Sequence, residues 1–279
     1  MRAAAALLLA ACTRGEAEEG LLVDLMVFAV LTEPTRYVPG LPVSAEVTLA
    51  NPDRIEVELL VWSCLANGRG ACIGSDEAPL LSDPVVVAPA GLQTRVSLND
   101  PAAALYDQAR GAAPAGLQVW ALACEVGACP IIGEVEAGEA AALRELGAPP
   151  DLLSTLPPGQ SAMGLWVLPM ADPGDPSTWT ADPIDVAPLR PDGPLIVEPG
   201  ARIDMLYSLA GLGDRSWYAE AEGVGGRVLS AGVDASSPDA MVLLAEAPTD
   251  RDYGYLYLLV VTADGAGDVD LLPYQVDRR

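Results

Sequence analysis

Carboxylates are nearly the only reactive side chains that this chain supplies in quantity. Its 279 residues hold 39 Asp and Glu against 15 basic residues, every one an Arg, with no Lys and no His. Without His there is no Ser-His-Asp or Cys-His nucleophile and no imidazole metal site. Without Lys there is no phosphate-binding GK[ST] loop, no Schiff base and no Ser-Lys dyad. A net charge of -24 removes the basic face on which phosphate contacts of a nucleic-acid binder depend. A pair of acids is the one catalytic device left: glycoside hydrolysis needs two carboxyls about 5–9.5 Å apart across a cleft. Asp264, Asp268 and Asp270 crowd the segment DGAGDVD, and Asp172, Asp175, Asp182 and Asp185 crowd a second stretch. Converging carboxylates of this kind suit Ca²⁺, but the spacing D-x-[DN]-x-[DN]-G is absent. With acids this dense, solvated turns account for both clusters.

Two further patterns have structural readings. Ser161, in Gly159-Gln160-Ser161-Ala162-Met163-Gly164, is one residue out of step with G-x-S-x-G and has no His to serve it, so it reads as a loop entering a strand. Gly211-Leu212-Gly213 and Gly223-Val224-Gly225-Gly226 lie between strands rather than between a strand and a helix, so they read as turns. Of Trp62, Trp120, Trp166, Trp179 and Trp217, four lie in apolar runs where core packing is the ordinary role; Trp179, in a polar stretch, is the candidate contact residue. No catalytic residue, cofactor or metal ligand is assigned.

The start of the chain sets an address. Met1-Arg2 is a minimal basic region, Ala3 to Leu9 is apolar, and Leu9-Ala10-Ala11-Cys12 follows. That string resembles the lipobox of bacterial lipoproteins. The resemblance implies cleavage before Cys12, acylation of Cys12 and, with Thr13 next, residence at the outer membrane. Two or three acyl chains anchor stably where one does not. Residues Thr13 to Gly20 then form an acidic tether that reaches at most about 26–29 Å. Of the five Cys, removing Cys12 leaves Cys64, Cys72, Cys124 and Cys129. An even remainder in an exported chain suggests two disulfides, read here as Cys64–Cys72 and Cys124–Cys129, each closing a short loop at the end of an apolar strand. A zinc site would show two CxxC-like knuckles, and these spacings show none.

The elements that would carry these residues are strands. The composition, 51% hydrophobic and 19% charged, is that of a folding chain, and 25 Pro and 27 Gly punctuate it at short intervals. Val43, Ala45, Val47 and Leu49 alternate with polar residues, as do Ala201, Ile203, Met205, Tyr207 and Leu209. Both strands follow Pro-Gly. IEVELLVWSC (55–64) and RSWYAE (215–220) each carry a Trp. GLQVWALAC (116–124) and YLYLLVVT (255–262) are each followed by a turn, Glu125–Ala128 or Asp264-Gly265, and then by a final strand. The order of features reads as a degenerate duplication of one all-β unit. Residues 138–146 have helical content with a stop at Gly147 and Pro149-Pro150, 151–156 add one more turn, and Ser161–Leu168 returns as a strand.

This order of lipobox, tether, Trp-x-Cys strand, second Cys strand, helical insert and Ser-Trp-Tyr module resembles a group of bacterial envelope lipoproteins with tandem immunoglobulin-like, PKD-like β-sandwich domains. It departs from PKD domains in lacking Trp-x-Phe-Gly-Asp-Gly, and from antibody domains in the placement of its Cys. The expected fold is all-β: two tandem immunoglobulin-like sandwiches with a short helical insert. The expected divisions are a signal peptide (1–11), a lipidated tether (12–20), a first sandwich (21–170, insert near 138–156), a Pro/Asp-rich linker (171–183) and a second sandwich (184–279). The expected function is a non-catalytic binding or structural module, held to the membrane at Cys12, with an envelope protein or glycan as partner and no nucleic acid. A carboxylate-dependent hydrolase of envelope polysaccharide and a calcium-rigidified adhesin are the alternatives.

Overall fold

A computed structural model of the chain describes residues 21–22, 24–38, 41–66, 80–89, 92–98, 116–146, 149–171, 175, 177, 180–189, 195–234 and 237–278. Cys12, Cys72, Trp179 and Asp172 lie outside them. The chain forms two compact units: Leu25–Ala181, and Asp182–Arg279 together with Leu21, Leu22 and Asp24. Both are β-sandwiches, so the all-β expectation holds. Among the described residues no helix is long and apolar enough to cross a membrane.

In the N-terminal unit, β2 (Met26–Glu33), β3 (Val43–Ala50) and β7 (Gln93–Leu98) form one antiparallel sheet. The other is built on β4 (Val57–Ala66), β8 (Gly116–Glu125) and β9 (Ser161–Pro169), with β5 (Leu80–Leu81) and β6 (Val85–Val87) on the outer edge of β4. The alternation in β3 does what period two predicts: Val43, Ala45, Val47 and Leu49 are buried while Ser44 and Glu46 are partly exposed. On β9, Gly164 lets β2 approach closely, since a Cβ there would collide with Val27.

β4 and β8 do not alternate, because both of their faces are covered. Leu59 and Val61 on β4, with Val119, Ala121 and Ala123 on β8, turn to one side and are fully buried. Leu60, Trp62, Leu122 and Cys124 turn to the other, into a core built with three short helices: α1 (Pro130–Glu136), α2 (Ala140–Leu146) and α3 (Pro149–Leu153). A sheet buried on both faces reads as an unbroken apolar run, like IEVELLVWSC. The turn after β8 leads into α1, so the final strand expected directly behind Glu125–Ala128 is a helix, and β9 supplies that strand later. Ile131, Ile132 and Val135 recur at helical spacing and are all buried, a pattern too short to separate from a strand by periodicity. Pro149-Pro150, expected as a stop, opens α3. Proline lacks the N–H that the first turn of a helix would leave unbonded in any case.

In the C-terminal unit, one sheet has the order β10 (Asp185–Pro188), β12 (Arg202–Ala210), β15 (Ser237–Glu246), β14 (Arg227–Asp234). The second has the order β1 (Leu21–Leu22), β13 (Trp217–Val224), β16 (Tyr253–Thr262), β17 (Gly267–Val276), β11 (Leu195–Val197). With the short flanking strands β1 and β11 set aside, four strands face three (β13, β16 and β17), and this connectivity is the immunoglobulin constant-type arrangement. Both units share a further feature. The leading segment pairs antiparallel with its successor (β2 with β3, β10 with β12), and a later stretch then runs parallel to the last strand. That stretch is Tyr37 beside Met170 in one unit and β11 beside β17 in the other.

Candidate functional site

The one covalent site fully described is Cys124–Cys129, a disulfide that closes the turn between β8 and α1. Both sulfurs are buried in the helix-covered core. Cys64 is disulfide-bonded as well; Cys72, the partner expected for it, is outside the described residues. The β4–β8 register explains why Cys64 and Cys124 do not join. Cys64 lies opposite Gln118 and Cys124 opposite Glu58, at far ends of the same strand pair.

Next to the disulfide, Trp62 and Trp120 are directly opposed across β4 and β8 and stack with ring centroids 6.2 Å apart. Trp62 is fully buried, and its Nε1–H donates to the Leu146 carbonyl at 3.0 Å. That carbonyl belongs to the last turn of α2, where no intrahelical donor is available. The bond therefore ties the helical cover to the sheet. Trp166 is buried on β9 and Trp120 and Trp217 are partly buried, in line with packing roles.

The acid-rich hairpin of the C-terminal unit spends its carboxylates internally. Arg215 donates through Nη1 to the Asp182 carbonyl at 2.9 Å and to Asp264 Oδ2 at 3.3 Å, through Nε to the Leu212 carbonyl at 3.2 Å, and through Nη2 to the Gly211 carbonyl. The Thr262 hydroxyl donates to Asp264 Oδ1 at 2.5 Å. Burial pushes the Asp264 carboxyl up, but the Thr262 hydroxyl and the Arg215 guanidinium outweigh it and leave it below the ordinary range. Asp268 accepts the Val186 N–H at 2.7 Å and its neighbour Val269's at 2.9 Å, fastening β17 to β10. Burial holds its carboxyl above the ordinary range, the two N–H donors pull the other way, and the charge of Asp185 adds to the rise. In the second acidic stretch, Asp175 Oδ1 accepts from the Ser177 hydroxyl at 2.6 Å and backbone N–H at 3.1 Å. Among the described residues no three His, Cys, Asp or Glu are grouped to hold a metal ion.

The other sequence candidates are structural. Ser161 Oγ donates to the Pro157 carbonyl at 2.6 Å at the entry to β9. Gly211 and Gly225 have φ of 78° and 75°, the left-handed conformation of turns, and a Cβ on Gly211 would collide with the Pro183 carbonyl.

Sequence reasoning missed a surface. On the outward face of the β10-β12-β15-β14 sheet, Leu206 is opposite Val242, Val242 is opposite Gly232, and Leu189 N–H donates to the Leu206 carbonyl. Leu189, one residue past β10, Leu206 on β12 and Val242 on β15 thus form an apolar row, 55%, 36% and 41% exposed. The corresponding face of the N-terminal unit is polar, with Arg95 between Glu33 at 3.8 Å and Glu46 at 3.6 Å. The signal lay in β12, where Leu206 occupies an outward position of an otherwise regular alternation.

Neither a protein-family model nor a curated protein matches the sequence. Solved structures similar to the chain include the fibronectin(III)-like modules of Clostridium thermocellum CbhA, at 10% identity, with 89% of this chain and 94% of that chain covered and a TM-score of 0.27. Titin A168169 aligns at 9% identity over 91% of this chain and 100% of that chain, with a TM-score of 0.24. Red sea bream transglutaminase aligns at 12% identity over 92% of this chain but 32% of its own length, with a TM-score of 0.28.

Proposed function

We propose that this protein is a lipid-anchored envelope protein whose two sandwiches act as a non-catalytic binding module, with Cys12 as the site of acylation. The observation that carries the binding reading is the exposed row Leu189, Leu206 and Val242 on a sheet whose counterpart in the other unit is laced with ion pairs. What supports it is that apolar side chains set side by side on one strand face, unlike scattered ones, offer a contiguous surface to a partner. The oxidised Cys124–Cys129 pair supports export, since disulfides persist where thiols are not kept reduced. The internal engagement of Asp264 and Asp268 favours this reading over a calcium-rigidified adhesin.

The test has two arms. Intact-mass analysis of the protein taken from its native membrane is expected to show cleavage before Cys12 and added acyl mass; a bare Cys12 would remove the anchor. Affinity capture from detergent-solubilised envelopes is expected to bring down a companion with the wild type and to lose it with the double variant Leu206→Asp/Val242→Asp. Identical captures would remove the binding surface.

A further inference from the structure

The free edge of the C-terminal unit's second sheet is occupied by the start of the described chain. β1 lies parallel to β13, with Leu21 opposite Gly223 and Leu22 opposite Val224. In its absence β13 would be the outermost strand, with a row of backbone N–H and C=O groups open to another strand. Gly223 and Val224 are buried at the place where β1 meets them. Glycine is required at 223, because a Cβ would collide with the Gly226 carbonyl where the chain turns back into β14. After Leu22 the chain enters the N-terminal unit at Leu25 and does not return to the C-terminal unit until Asp182. The strand that completes this sheet is therefore remote in sequence from everything it pairs with. Two residues would not hold as a free peptide, since even an isolated two-stranded hairpin is marginal. Covalent attachment raises the effective concentration to the millimolar range, where so short a strand can stay paired.

We infer that β1 is a strap that fastens the acylated N-terminus to the β13 edge, so that the membrane anchor is joined first to the C-terminal unit and not to the unit that follows it in sequence. The inference rests on acylation at Cys12. Thr13 to Gly20 are the only residues between the anchor and the strap. Nine residue steps separate Cys12 from Leu21, so Leu21 lies at most about 30–32 Å from Cys12, with Gly223 on the strand beside it.

The experiment uses the full mature protein, acylated and reconstituted in phosphatidylethanolamine–phosphatidylglycerol vesicles. Hydrogen exchange is followed at residues 222–225, and energy transfer is measured from a dye on Ser230→Cys, on the exposed strand β14, to an acceptor lipid. Leu22→Pro removes a backbone donor from the strap. It is expected to speed exchange at 222–225 at least tenfold, to lower the transfer efficiency and to leave Tm within a few degrees of the parent. The double variant Leu21→Gly/Leu22→Gly keeps the donors, is expected to act in the same direction, and carries the test if the proline variant does not fold. Exchange and transfer unchanged in both variants would overturn the strap. Mass analysis of the same samples separates this outcome from failure of the anchor: a bare Cys12 removes the membrane reading, and the exchange result still decides whether β1 holds β13.

Discussion

Replacing Trp62 by Phe tests whether the three helices are an integral cover of the sheet or an appendage to it. In the wild type the indole is fully buried between Leu60, Leu122 and the helices, and its N–H satisfies the Leu146 carbonyl. Phe keeps an aromatic ring opposite Trp120 but leaves that carbonyl buried without its donor, which costs about 1–3 kcal/mol. The smaller ring also leaves a void that the neighbours fill only in part, at roughly 24 cal/mol per Å³, so about 1 kcal/mol more. The expected loss of stability is about 2–4 kcal/mol, measured by urea unfolding of wild type and variant. Hydrogen exchange should also place the loss, with amides of 140–146 losing protection before those of β3. A loss under about 1 kcal/mol with protection of 140–146 unchanged would refute the reasoning, because an unpaired buried carbonyl cannot be that cheap.

Three other outcomes follow from the same structure. Replacing Cys124 and Cys129 together by Ala removes a cross-link that closes a short loop, and thermal or urea unfolding should show a loss of about 2 kcal/mol; in the wild type neither thiol should react with iodoacetamide until reductant is added. The Tyr274 hydroxyl is buried with no hydrogen-bond partner among the described residues, packed against Gly226 and Gly254. Tyr274→Phe should therefore be neutral or stabilise by up to about 2 kcal/mol, since it removes an unsatisfied group, while Gly254→Ala, whose Cβ would strike the Tyr274 ring, should cost about 1–3 kcal/mol or more, both read by urea unfolding. Asp264 is held below its ordinary value, so its ionised form stabilises the fold above the unfolded value of about 3.9, and that contribution is lost as pH falls through the lower folded value. Thr262→Val should raise the Asp264 pKa in a carboxyl carbon NMR titration. Asp268 has the opposite sign: its raised pKa means that the burden of its charge is relieved as pH falls through that value, and it should titrate above Asp264 in the same spectra.

Much of the fold is written in local pattern. The alternation at 43–49 and at 201–209 marks a strand with one buried face, whatever lies elsewhere in the chain, because successive side chains on a strand point to opposite sides. The pairing of Cys124 with Cys129 was legible for a similar reason: five residues and one turn bring the two together without help from distant parts of the chain. The helix at 130–136 was not legible, since seven residues with three buried positions fit either period. The candidate site was less legible still. Asp264 and Asp268 look like members of one acidic cluster in the sequence, yet Arg215 and Thr262 claim the first and the Val186 N–H claims the second.

What the amino-acid order determined alone is the menu: strands with turns between them, a strongly acidic balance of charge, and no His or Lys with which to build common active sites. Which face of each strand meets which neighbour was decided only on folding. Leu60 and Leu206 are both apolar residues in strands, but the first lies beneath a helical cover and the second faces outward. Local propensity carries no information about what covers a face, because the covering residues come from distant sequence. The same holds for Leu21 and Leu22, whose place beside Gly223 and Val224 depends on contacts about two hundred residues away in the chain.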